Sequence, residues 1–209
     1  MPYGYLGQNT PNQTVSNSGV FSISDVASLE KQGKFGGSLE LIEEKSISAS
    51  SSTIFTDIKE TVYDVHYLTV NNYAPSTDGV ALLIRYFESG VEESGNVYQY
   101  ANQYGQADGI FSETKSTGTN FLTATFSVGN ATNETGSSYI YFYNLGNSSK
   151  YSFNTFQQTS LTNTSVYRMA FGGGVLPQAS LVNQIKLFVT SGTFSATAKL
   201  YGLKQLWVL

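Results

Sequence analysis

From Ser38 to Lys204 the chain is built of short runs whose side chains alternate in character, separated by turn-forming residues. In "SSYIYFYNLG", Tyr139, Tyr141 and Tyr143 fall on one side, and Ile140, Phe142 and Asn144 on the other. In "TFSATAKLYGLK", Phe194, Ala196, Ala198 and Leu200 share a side opposite Ser195, Thr197, Lys199 and Tyr201. A period of two puts successive side chains on opposite faces of a sheet, so such runs read as strands. The separators "NNYAPSTDG", "ESGVEESGN", "KSTGTN", "GNATNETGSS", "NLGNSSK", "FGGG" and "TSGT" carry the Gly, Asn, Asp and Ser of turns. Strands are expected near 38–48, 53–59, 62–71, 79–88, 96–104, 120–128, 137–145, 150–158, 165–171, 182–190 and 193–204. With no helical period between them, the expected fold is all-β: an antiparallel β-sandwich of jelly-roll type. No fixed repeat recurs, which argues against a propeller or solenoid.

The body is thus expected over residues 38–209, and residues 1–37 read differently. "MPYGYLGQNTPNQTVSNSGV" has no period and too little apolar surface to fold alone. It reads as an extended arm that orders along another subunit, with Tyr3, Tyr5, Leu6 and Val15 as anchors. "SISDVASLEKQGK" is the one short helix expected, capped by Ser22 or Ser24, with Asp25 at its positive end and Gly33 just past its end. "GKFGGS" follows that helix, whereas a phosphate-cradling loop precedes one. A helix C-terminus presents carbonyls and a negative dipole, so Gly36-Gly37 read as a tight turn or hinge rather than a phosphate site.

Composition narrows the function classes. Charged residues make up 12% and the net charge is −4, so no basic field draws the chain to nucleic acid or an anionic membrane. There is no cysteine, which removes disulfides, thiol catalysis and thiolate metal sites. No apolar run approaches the roughly 20 residues needed for a membrane-spanning helix. The opening Met1-Pro2-Tyr3-Gly4-Tyr5 lacks the basic-then-apolar pattern of a signal peptide, so synthesis is expected in the cytoplasm. The five Asn-x-Ser/Thr sequons, at Asn12, Asn130, Asn133, Asn147 and Asn163, follow from a chain rich in these residues and carry no expected glycan.

Candidate chemistry is sparse. His66, the single histidine, sits in "VYDVHYLTV" beside Asp64. No Gly-x-Ser-x-Gly elbow accompanies it, and one histidine without cysteine makes a poor zinc set. The acids Glu88, Glu92 and Glu93 cluster in what reads as a solvated turn. "STDG", Ser76 to Gly79, lacks the repeated aspartates of a calcium loop. No catalytic residue, metal or cofactor is therefore expected. The tyrosine runs say more: Tyr98, Tyr100 and Tyr104 share one strand face, and Tyr139, Tyr141 and Tyr143 share another. Buried, they are core; exposed, they suit a subunit contact or the stacking of sugar rings.

"SGVFSISDVASLEKQGKFGGSLELI", "YDVHYLTVNNYAPSTDGVALLIRYF" and "GTFSATAKLYGLK" together resemble small virion structural proteins of tailed bacteriophages, of the marine and cyanophage type. The resemblance implies a tail-fibre-like or capsid-decoration protein, with an N-terminal arm docked on other virion proteins. It implies a homo-oligomer, a trimer being favoured, that sits in the virion and can meet host-surface polysaccharide. It transfers no functional residue, and the alternative readings are a capsid decoration or head protein without a receptor role, or a free carbohydrate-binding module with an exposed aromatic row.

Overall fold

The computed structural model describes Ile23 and residues 39–203. Apart from Ile23, the expected arm, its anchors Tyr3, Tyr5, Leu6 and Val15, and the short helix lie outside the described residues. What is described beyond Ile23 is all strand and turn: β1 Leu39–Ser50, β2 Ser52–Phe55, β3 Val65–Pro75, β4 Leu83–Glu88, β5 Val91–Glu92, β6 Tyr98–Gln106 and β7 Phe111–Thr119. Then follow β8 Leu122–Thr123, β9 Gly136–Tyr143, β10 Ser152–Leu161, β11 Tyr167–Leu176, β12 Val182–Phe188 and β13 Phe194–Leu203.

The strands form an eight-stranded sheet in the order β1-β13-β3-β9-β10-β11-β6-β7 and a smaller sheet, β2-β12-β4-β5, with β8 also on β4. Eight of them pair in nested fashion: β1 with β13, β2 with β12, β3 with β9, β4 with β8. Pairing of β13 with β3 and of β12 with β4 then completes two sheets. First-with-last nesting is the topology of a jelly roll, as the alternation led one to expect. The remaining strands are excursions from it. A two-residue Ser89-Gly90 turn, both residues at positive φ, folds β5 back on β4. The hairpins β6–β7 and β10–β11 are laid beyond β9 and widen the large sheet.

One apolar core lies between the sheets. Leu68, Val70, Ile140, Phe142, Ala198 and Leu200 face Phe55, Ile84, Tyr86, Ile185 and Leu187, all of them buried. Each large aliphatic or aromatic side chain so buried contributes about 1.5–3 kcal/mol. The core changes character under the added strands. On β10 the inward residues are Ser152, Asn154, Phe156, Gln158 and Ser160. The small sheet does not reach that far, and the segment 120–128, irregular outside the two residues of β8, covers the gap. Its backbone groups need partners, and inward amides and hydroxyls serve them. Gln158 Oε1 accepts from the Phe126 N–H, and Asn102 donates to Thr123 Oγ1 at 3.2 Å.

Two expectations are corrected here. "FGGG" is not a turn: Gly172, Gly173 and Gly174 lie inside β11. A Cβ on Gly172 would sit 2.6 Å from the Ala101 carbonyl oxygen, and one on Gly173 would sit 2.4 Å from that of Asn154. These glycines serve close strand approach, not chain reversal. Likewise "KSTGT" ends a strand, β7, that alternation did not reveal. Six of its nine residues are exposed and none is buried, so no apolar face marks it.

Candidate functional site

On β6 the residues with even numbers point inward. Tyr98 is fully buried; it accepts from the Tyr86 N–H at 3.0 Å and donates to the Glu93 carbonyl at 3.1 Å. Burial pushes its phenol well above the usual range, so it stays neutral. Tyr100 and Tyr104 are half-buried against the core and meet Phe121 and Phe126 of the covering segment, at ring distances of 6.3 and 5.3 Å. Tyr98, Tyr100 and Tyr104 therefore belong to the interior, which corrects the surface contact considered for them. The physical reason is the short second sheet: the widened one needs aromatic cover of its own.

Tyr139, Tyr141 and Tyr143 do face outward, opposite buried Ile140 and Phe142. They are part of a larger group. Antiparallel register sets Tyr201 beside Tyr67 and Tyr67 beside Tyr141. The Tyr67 ring lies 4.8 Å from Tyr141 and 6.1 Å from both Tyr139 and Tyr201, and Tyr141 stacks on Tyr143 at 6.5 Å. Partial burial among these phenols, followed by their mutual repulsion once ionised, raises the Tyr67 pKa. Tyr139 donates to Gln157 of β10. Exposed Phe153, Tyr167, Phe171 and Phe111 continue the aromatic surface over β10, β11 and β7.

The outward residues run in rows across the strands. One row reads Tyr141, Thr155, Gly173, Ala101, Lys115. On one side of it runs Tyr143, Phe153, Val175, Gln99, and on the other Tyr139, Gln157, Phe171, Gln103, Glu113. The middle row is small where its neighbours are large, so its floor is a trough. The space bounded by Gln99, Ala101, Lys115, Phe153, Thr155, Gly173 and Val175 has a volume of about 820 Å³. That size lies in the range of small-molecule and oligosaccharide sites.

No family model, curated protein or solved structure matches the chain. Its function is accordingly read from the site itself.

The other candidate residues are committed elsewhere. His66 is fully buried, and its Nε2 lies 2.8 Å from the Ile58 carbonyl, so that nitrogen carries the hydrogen and donates it. Tyr63 packs edge-on against the ring at 6.0 Å. The histidine ties the loop after β2 to β3; Asp64 beside it is exposed and makes no triad with it. Burial, outweighing the Ile58 hydrogen bond and the Asp64 charge, lowers the His66 pKa below its usual 6.5. Folded His66 is then neutral where the unfolded chain takes up a proton, so stability falls as pH drops through about 6.5 toward the lower folded value. The loss is at most about 1.4 kcal/mol for each pH unit in that window. Urea unfolding at pH 7.5 and 5.5 should show a larger acid loss for wild type than for His66→Gln. Equal losses would contradict this account.

Glu92 is not part of a solvated turn, which is a second correction among the candidates. It accepts from Arg85 Nη1 on the adjacent β4 at 2.9 Å and from Lys186 Nζ on β12, one strand further on, at 2.8 Å. Burial alone would raise its pKa; the hydrogen bonds from Lys186 and Arg85 together outweigh that and hold it below the usual carboxylate range. Both cations also lie over the Phe188 ring, so this cluster covers the outside of the small sheet. In "STDG", Asp78 accepts from the Asn130 N–H at 3.2 Å, and among the described residues no three His, Asp or Glu gather into a metal-sized group.

Sequence reasoning missed Tyr67, Tyr201, Phe153, Tyr167 and Phe171 as companions of Tyr139 and Tyr141. A signal existed for Tyr67, which alternates with the apolar Leu68 and Val70. None existed for Phe153, because Ser152, Asn154 and Gln158 on the opposite side look equally like a solvent face.

Proposed function

We propose that the chain is a non-enzymatic structural component of a virus particle, whose jelly-roll body presents the outer face of its large sheet as a contact surface. The observation that supports this best is the outward aromatic face itself: partly exposed tyrosines spread over β13, β3 and β9, then exposed Phe153, Phe171 and Phe111 beyond them. Exposed aromatic surface of this extent marks an interaction site. The arm of residues 1–37 docks the body on the particle, as fibre, spike or decoration, and the face meets a neighbouring copy or a host-surface glycan. The particle setting rests on the resemblance of the three quoted segments; the contact surface rests on geometry.

Purified particles provide the test. The protein should be found in them at a fixed copy number, and deletion of residues 1–30 should remove it from the particle while leaving a folded body. Absence from every particle preparation overturns the setting. Normal incorporation without residues 1–30 overturns the docking role of the arm.

A further inference from the structure

Resting on the reading of the outer face as a contact surface, we infer that the trough across β10, β11 and β6 binds a neutral, unbranched polysaccharide lying across the strands. Shape supports this first. The floor, Thr155, Gly173 and Ala101, is bare of bulk, with Tyr141 at one end of the row and Lys115 at the other. From Thr155 to Lys115 the lining crosses three strand spacings, about 14 Å. A narrow slot of that length fits a chain of sugar rings. A flat second copy of the same face would bridge the trough and leave it void.

Charge decides the ligand class. The outward side chains of β3, β9, β10, β11 and β6 include no Asp, Glu, Lys or Arg. The cations at the two margins are already matched: Lys115 is 2.6 Å from Glu113, and Lys199 is 3.2 Å from Glu44. A uronate or sulfated chain, or a nucleic acid, would find no unpaired cation along the slot, and its charges would lose water without compensation. A neutral ligand loses nothing of the kind. The slot supplies what a neutral sugar uses: the exposed Phe153 ring and Val175 for the apolar ring face, and Gln99 and Thr155 for hydroxyls.

The floor also disfavours an extended peptide. Thr155, Gly173 and Ala101 lie on strands paired on both sides, so their backbone groups are spoken for. A peptide strand adds at a free edge, not across a closed floor.

Affinity electrophoresis of the full chain tests the inference, with gels containing a neutral β-glucan, a mannan or a galactan, and parallel gels containing alginate or a sulfated galactan. At least one neutral polymer should retard the protein, and the anionic ones should retard it no more than an inert control. Ala101→Trp fills the slot from an exposed position, and Gln99→Arg places an unmatched charge on its wall. Each should weaken retardation at least tenfold, while Val62→Ser, exposed and remote from the slot, changes nothing. Retardation by anionic polymers alone, or retardation untouched by both slot variants, overturns the inference. So does the absence of retardation in every neutral gel. Sedimentation of the same variants keeps the two readings apart. An oligomer that Ala101→Trp dissociates, with no retardation by glycan, would retain the contact surface and eliminate the polysaccharide.

Discussion

Phe142→Ala is expected to lower the unfolding free energy by about 3–5 kcal/mol, the range for removing a fully buried aromatic ring. Phe142 is fully buried on β9, with its ring 6.1 Å from that of Tyr86 on the facing sheet in an edge-on arrangement. His66 and Asn154 flank it in register on the neighbouring strands. It therefore joins three strands of one sheet to the other, and its loss leaves a cavity that rigid strands do not collapse to fill. Tyr141→Ala, one residue away on the outward side, should cost only about 1 kcal/mol. Urea titrations of both variants compare the two sides of one strand directly. Equal losses would contradict the burial of Phe142 against the outward placement of Tyr141, and a reversed order would mean that the two faces of β9 are exchanged.

Gly172→Val is expected to cost about 3 kcal/mol, at the upper end for overpacking, because backbone rather than a flexible side chain is in the way. A Cβ there would lie 2.6 Å from the Ala101 carbonyl and 2.7 Å from the Asn102 Cα. The ladder between β11 and β6 has to open, and β7 hangs from β6. For a body of this size the midpoint of thermal unfolding should fall by about 6–12 °C. An unchanged midpoint would return "FGGG" to the status of a turn. The same experiment separates two meanings of glycine in a sheet protein: freedom to reverse the chain, and absence of a side chain where two strands meet.

The fold was legible wherever one face of a strand is apolar and the other is not. Phe194, Ala196, Ala198 and Leu200 are buried along β13, and Ile140 and Phe142 along β9, as their alternation implies. Legibility failed where both faces carry the same chemistry. On β6 the inward set is Tyr98, Tyr100, Asn102 and Tyr104, and the outward set is Gln99, Ala101 and Gln103; nothing in these letters tells tyrosine as cover from tyrosine as contact. That distinction depends on how far the second sheet extends, a property of the whole topology. Glu92 was misread for a related reason. Its partners Arg85 and Lys186 lie on strands brought together only by the pairing of β4 with β12. The site suffered most, because a row across a sheet draws one residue from each of several distant segments. Alternation within a run says which residues share a face, but not which runs lie side by side.

The nested pairing has a consequence for biosynthesis. β13, the last strand of the body, lies between β1 and β3, which are made first. While the chain is still emerging from the ribosome, those early strands have open edges and no partner in that slot. Contacts of such long sequence separation form slowly. The sheet cannot close until residues 194–203 have left the exit tunnel. Until then its apolar strands stand exposed to their neighbours on the same polysome. A chain halted anywhere before Phe194 is thus missing an inner stave of the sandwich, not a dispensable edge.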